Sequence, residues 1–312
     1  MDNDMNATSN NGIFLRGFGN LHDFKIPFFF LFFAIYMLTL TSNLLIIILV
    51  STHYHLQSPM FFFLAHLSFS DLLVTTNILP NMLLITLTDG GMVFLSGCLT
   101  QFFFYGLSAT TECLLLSAMS YDRYLAICKP LHYHTVMDSK LCSSLVISSW
   151  SLSFILTIIP IYFLQRLRFC GINVIDHFFC DLGPLLELSC SDTSFVKLEV
   201  FAMSTLLTMV PFVFICVTYV YIILSILRIS TNTGRQKAFS TCSSHLAVVC
   251  AFYGALFAMY VAPSKGDSAI NKGVSLLYTV VTPLFNPIIY SLRNQDIRTT
   301  IRKYLRTQKP HI

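Results

Sequence analysis

An all-α bundle of seven transmembrane helices, followed by a short amphipathic membrane-surface helix at the C-terminus, is the fold class this sequence predicts. Three observations predict it. The 312 residues are 55% hydrophobic and only 11% charged, against about 25% charged in an average soluble domain. The charges are also bunched, leaving charge-free stretches at 26–70, 72–88, 90–111, 141–165, 200–227, 238–264 and 273–292. Finally, Lys and Arg divide unevenly between the two sets of loops that seven crossings create.

Each element follows from length and punctuation. A membrane helix needs roughly 20 apolar residues to cross about 30 Å of hydrocarbon. The first stretch is too long for one crossing. His53, Tyr54, His55, Gln57, Ser58 and Pro59 split it into one helix ending near Val50 and another starting near Pro59. The third helix begins near Cys98 and carries Glu112 mid-span and the pair Asp122-Arg123 at its end. Four further charge-free stretches supply helices four to seven. Pro283, Asn286, Pro287 and Tyr290 punctuate the seventh. Each proline there removes a backbone hydrogen bond, leaving a carbonyl open to Asn286 or water. Beyond Asn294, Ile297, Ile301 and Leu305 recur every four residues among Arg298, Arg302, Lys303 and Arg306. That pattern predicts an amphipathic helix on an anionic leaflet. No 20–50-residue period recurs and no linker divides the chain. It therefore divides into an N-terminal segment (1–25), a seven-helix domain (26–293) and a terminal helix and tail (294–312).

Seven crossings place the two termini on opposite faces, and Lys and Arg decide which is cytoplasmic. The C-terminal face carries twelve: Arg293, Arg298, Arg302, Lys303, Arg306, Lys309, Arg123, Lys129, Lys140, Arg228, Arg235 and Lys237. The other carries seven: Arg16, Lys25, Arg166, Arg168, Lys197, Lys265 and Lys272. The tail is expected in the cytoplasm and the N-terminus outside. Residues 1–25 lack a basic start followed by an apolar core, so no cleaved signal peptide is expected. Asn6-Ala7-Thr8 is a glycosylation sequon on the expected outer side. The formal charge of +4 carries no indication of nucleic acid as a partner; membrane lipids are the expected surroundings.

Of ten cysteines, Cys98, Cys170, Cys180 and Cys190 fall on the outer side, where disulfides persist. Four cysteines allow three pairings, and sequence does not choose among them. A zinc site at His177 and Cys180 is the competing reading. Acids at bilayer depth are costly and mark function. Asp71 and Glu112 are therefore read as a cation site, a protonated pair, a proton path, or simply polar glue between helices.

The string Met119-Ser120-Tyr121-Asp122-Arg123-Tyr124-Leu125-Ala126-Ile127-Cys128, continuing through Lys129-Pro130-Leu131-His132-Tyr133, resembles the vertebrate olfactory receptors, terrestrial type, within the rhodopsin-like G-protein-coupled receptors. So do Lys237-Ala238-Phe239-Ser240-Thr241-Cys242-Ser243-Ser244-His245-Leu246 and Pro283-Leu284-Phe285-Asn286-Pro287-Ile288-Ile289-Tyr290. Asn43, Pro59-Met60-Phe61, Trp150, Pro211 and Thr218-Tyr219 fit as well, and the resemblance covers roughly residues 20–305. Departures include Ser42, Phe61 and Thr218. Ala262 and Asn271 change charge at the outer rim.

The resemblance implies disulfides Cys98–Cys180 and Cys170–Cys190. It implies a polar cluster of Asp71, Ser108, Glu112 and Asn286, holding a sodium ion or a shared proton, and no other cofactor. Asp122, Arg123, Tyr124, Tyr219, His245, Asn286, Pro287 and Tyr290 become coupling and switch residues, with Tyr290 swinging toward Tyr219 and Arg123 as the cytoplasmic side opens. The implied partners are a small volatile odorant and the heterotrimeric stimulatory olfactory G protein, with cyclic AMP as the output and olfactory cilia as the location.

Helical spacing selects candidate ligand contacts: Tyr105, Gly106, Ala109 and Thr110 in the third helix, and Met203, Ser204 and Leu207 in the fifth. Tyr253, Leu256, Phe257 and Tyr260 follow in the sixth, and Thr279 in the seventh. These stripes mix apolar bulk with hydroxyls and hold no charge, which points to neutral hydrophobic ligands. No Ser, His and acid converge as a nucleophile would require, so no enzyme is expected. The rival readings are a transporter or proton-conducting bundle using Asp71 and Glu112, and a non-olfactory chemoreceptor. Transporters usually repeat internally, and this chain does not.

Overall fold

The computed structural model describes residues 12–19, 21–170, 173–261, 268–293 and 297–300. Ten α-helices are described: α1 (Lys25–Thr52), α2 (Pro59–Leu87), α3 (Leu95–Cys128), α4 (Pro130–Val136), α5 (Ser139–Leu164), α6 (Leu182–Glu187), α7 (Ser194–Leu227), α8 (Asn232–Val261), α9 (Ser268–Leu276) and α10 (Thr282–Arg293). Five of them, α1, α2, α3, α5 and α7, are each long and apolar enough to cross a membrane. Residues 269–291, running through α9, a π-helical turn (Leu277–Val281) and α10, make a sixth crossing. Helix α8 makes the seventh if its two parts, bent by 40° between Ser240 and Cys242, count as one. The molecule is a seven-helix transmembrane bundle.

Local chemistry sets the helix starts. Pro59 and Pro130 occupy first-turn positions, where a missing N–H costs nothing. The Asp138 carboxylate caps α5 by accepting from the Leu141 N–H at 2.8 Å. Helix α3 runs through the middle, packing against α2, α5, α7 and α8. Its two ends therefore serve two hydrophobic clusters. One surrounds Phe63, Leu116, Met119 and Ile222 near Arg123. The other surrounds Ile78, Met82, Phe178 and Phe179 near Cys98.

Proline chemistry ties α1 to α10, though not as the sequence predicts. Pro287 has no N–H for the Pro283 carbonyl, four residues earlier. The Asn43 Nδ2 donates to that carbonyl at 3.0 Å. Asn286, one of the two partners the sequence offers (the other being water), donates to Asp71 instead.

The all-α expectation misses a three-stranded sheet at the Cys98 end. Strand β1 (Gly12–Leu15) lies between β2 (Gly91–Phe94), antiparallel, and β3 (Val174–Ile175), parallel. Strands of two to four residues are too short for an alternating pattern to stand out. Gly90, at φ 118°, makes the turn into β2; a Cβ there would meet the Phe14 ring and the Leu15 carbonyl. Phe18 stacks on Phe178 with centroids 5.1 Å apart, so the N-terminal segment plugs this end of the bundle. At the other end Ile297 is buried in the core beside Arg123's cluster, and Thr300 bonds to His55 at 3.0 Å. Ile301, Arg302, Lys303, Leu305, Arg306 and the sequon at Asn6 lie outside the described residues.

Candidate functional site

The Cys98 end is stapled. Cys98–Cys180 and Cys170–Cys190 are both bonded, with Cα atoms 5.2 and 5.9 Å apart. The first bond removes Cys180 from any zinc set with His177. Among the described residues no three His, Cys, Asp or Glu side chains converge on a metal site. Gln101 of α3 accepts from the Cys180 N–H at 2.8 Å, and Lys272 of α9 pairs with Asp176 at 2.7 Å. Burial and the Lys272 ammonium lower the His177 imidazole to about 4, against a smaller opposing pull from Asp176. This histidine is therefore held neutral.

At the other end of α3, Asp122 is fully buried. It accepts two bonds from Arg123, from Nε at 2.9 Å and Nη2 at 2.5 Å, and a third from the Tyr133 hydroxyl of α4 at 2.8 Å. Burial and the Asp122 carboxylate keep that phenol above its ordinary pKa, so it stays a donor. Tyr124 packs its ring near Tyr121 and Tyr221. One layer further in, the Tyr219 hydroxyl and His245 Nδ1 are 2.7 Å apart, and His245 Nε2 lies 3.1 Å from the Leu116 carbonyl. The Tyr290 hydroxyl is buried without a partner among the described residues. Tyr219 thus faces His245 here, and neither Tyr290 nor Arg123 is bonded to it. Ser120 and Thr218 join α3 to α7 at 2.9 Å.

Midway along the bundle Asp71, Ser108, Glu112 and Asn286 are all buried. Asn286 Nδ2 donates to both Asp71 oxygens at 3.1 Å, and Glu112 is near enough to act electrostatically on Asp71. Ser108 Oγ, Thr75 Oγ1, Thr111 Oγ1 and Asn286 Oδ1 are buried oxygens with no partner among the described residues. Carboxylate, hydroxyl and amide oxygens are the donor set of a hard cation, so these residues fit a sodium ion as well as a shared proton.

Above this layer α3, α5, α7 and α8 enclose a cavity of about 250 Å³. Tyr105, Gly106, Ala109, Thr110, Met203, Ser204, Leu207 and Leu256 line it. Three sequence candidates are placed otherwise, and a fourth has no described side chain. Phe257 is 69% exposed on the outside of α8. The Tyr253 ring packs on Phe212 at 4.9 Å and is buried. Thr279 is buried and donates to the Ser275 carbonyl at 2.8 Å. The Tyr260 side chain lies outside the described residues. Helix α8 presents 252 and 256 to the cavity, an i, i+4 pair one residue's rotation from the 253 and 257 pair.

The lining also includes residues the helix stripes leave out. Leu156, Thr157 and Pro160 come from α5, at i, i+1 and i+4. Gly106 lets α3 approach α5, since a Cβ there would sit 2.9 Å from Thr157 Cγ2. Asp181 and Glu199 add two carboxyl groups. Glu199 continues the Met203 and Leu207 stripe by one turn, at the same four-residue spacing, and that spacing is the signal that would have found it. A larger groove, about 1,110 Å³, opens sideways between α1, α2, α4 and α5 around Phe62, His66, Phe69 and Trp150. It shares no residue with either the α3 stripe or the switch.

The sequence model of the olfactory receptor family matches residues 32–308. Human olfactory receptor 11L1 is 45% identical over 293 residues, covering 94% of this chain and 91% of the relative. Olfactory receptor 1468 of Rattus norvegicus is 45% identical over 90% of both chains, and olfactory receptor 1M1 of Mus musculus 42% over 96% of both. The chain belongs to the olfactory receptor family: it is a multi-pass membrane receptor, not an enzyme.

Proposed function

We propose that this receptor holds a small, neutral hydrophobic odorant in the cavity between α3, α5, α7 and α8 and signals through Arg123. The stimulatory olfactory G protein is the transducer and cyclic AMP the output. The observation that carries this reading is the course of α3, one continuous helix from Tyr105 and Ala109 in the cavity wall to Arg123 at the far end. A small displacement of the wall is thus delivered directly to the ion pair. The lysine and arginine excess places the Arg123 end in the cytoplasm and the Cys98 end outside, with Asn6 available for glycosylation and olfactory cilia as the location. Asp71, Glu112 and Asn286 hold a sodium ion or a proton between the two ends.

A diverse odorant panel, applied to cells carrying a cyclic AMP reporter and an ion-flux readout, tests this. Ligand-dependent cyclic AMP without flux is expected. Solute or proton flux without cyclic AMP would replace the receptor reading with a transporter using Asp71 and Glu112.

A further inference from the structure

The cavity wall is apolar over most of its area, with Phe102, Leu156, Val200 and Leu256 among its residues, yet Glu199 and Asp181 open onto it. Glu199 is half-buried, and its two carboxylate oxygens, themselves covered, have no hydrogen-bond partner among the described residues. An ionised carboxylate offers about four acceptor sites, and leaving them unmade against an apolar wall is costly. Among the described residues no lysine, arginine or histidine lines the cavity. The nearest basic residue in sequence, Lys197, is exposed on the opposite side of α7, about 200° around the helix. Asp181 already accepts one bond, from the Leu182 N–H at 2.8 Å, and keeps acceptor capacity in its second oxygen. No described residue supplies the partner Glu199 lacks, and a cation or a strong donor in the ligand would.

We infer that the ligand of this cavity is a small protonated amine, its ammonium group placed on Glu199, with Asp181 in the same wall, and its hydrocarbon body against Phe102, Leu156 and Leu256. An aliphatic amine resembles the lysine side chain, with a pKa of about 10.4, and is cationic at neutral pH. The cavity, about 250 Å³, lies just below the usual range for small-molecule pockets, about 300–1,000 Å³, and suits a small ligand. This inference rests on the odorant-receptor reading and replaces its neutral ligand class by a cationic one.

The test compares skeleton-matched hexyl, octyl and cyclohexyl amines, alcohols, ketones, carboxylic acids and N-acetylated amines by cyclic AMP response, at measured surface expression. In the wild-type receptor the amines should act at concentrations about tenfold lower than the matched alcohols, as a charge-assisted bond replaces a neutral one. The N-acetylated amines, which keep the skeleton and lose the charge, should be inactive. Glu199→Gln should raise the half-maximal concentration of the amines about tenfold or more and move the alcohols less than about threefold. The comparison of amines with alcohols of equal size uses only the wild-type protein, so it decides the matter even if Glu199→Gln fails to reach the surface. Response to alcohols or ketones in preference to amines, or an equal shift of both classes in Glu199→Gln, would overturn the amine assignment and leave the receptor reading intact. Silence of the surface-expressed wild type to the diverse panel of neutral odorants and to the amines alike would overturn both.

Discussion

The two ends of α3 carry charge in opposite ways. Near Arg123 the charged groups are matched within the protein: Asp122 receives Arg123 and Tyr133, and Tyr219 meets His245, leaving the Tyr290 hydroxyl without a partner among the described residues. Near the cavity, Glu199 presents two buried oxygens with no partner among the described residues. A satisfied buried ion pair resists change, because removing one partner strands the other. An unsatisfied carboxylate invites a partner. The contrast describes a device that waits at one end and is locked at the other, with a cation-compatible layer of Asp71, Glu112 and Asn286 between them.

The largest expected effect comes from removing what holds the waiting end open. Cys98 and Cys180 join α3 to the segment bearing Asp181, and losing a native extracellular bridge typically costs about 2–5 kcal/mol. Cys98→Ser and Cys180→Ser should each abolish most surface expression, read by antibody on unpermeabilised cells. The double mutant should be no worse than either single one; additive losses would mean that the two act separately.

A change at the locked end strands the buried Asp122 carboxylate, so signalling there is read per receptor that reaches the surface. Those Arg123→Ala receptors that do reach it should lose most ligand-driven cyclic AMP. Tyr133→Phe removes only one hydrogen bond to a charged group, worth about 1.5–3 kcal/mol. It should raise cyclic AMP in the absence of ligand while keeping the ligand response. Normal signalling by Arg123→Ala at matched surface expression would remove that end from the mechanism.

The smallest expected effect concerns pH. His177 is held neutral down to about 4 in the folded protein, while the unfolded chain titrates near 6.5. The unfolded state therefore binds more protons between these values, and stability falls as pH drops through that window. Melting of the purified receptor should shift to lower temperature between pH 6.5 and 4, and less so in His177→Phe. Equal acid sensitivity in both proteins would place the titrating group elsewhere.

Much of this was legible in the sequence, for physical reasons that differ by region. The helices could be placed because charge is excluded from hydrocarbon, and Asp122-Arg123 stands out against that background. Helical spacing selects eight of the fourteen residues that α3, α7 and α8 give the cavity. What stayed hidden depends on rotation and on partners remote in sequence. Phe257 faces outward because α8 presents 252 and 256 rather than 253 and 257. The Asn43 bond to the Pro283 carbonyl joins residues 240 apart in the chain. Glu199, just ahead of the charge-free stretch 200–227, is missing from the candidate contacts, although its spacing from Met203 puts it on the cavity face.

The central claim, that filling the cavity unlocks the far end of α3, is tested most directly by a distance. Spin labels at His134→Cys in α4 and Gln236→Cys in α8, both exposed, would be placed in a background lacking the exposed Cys216 and Cys250. Pulsed electron resonance would then report their separation with and without agonist in the presence of G protein. A shift to longer distances with agonist, abolished by an agonist-blind cavity variant, is the predicted result. An unchanged distance distribution under conditions where the same protein raises nucleotide exchange on the G protein would contradict the account.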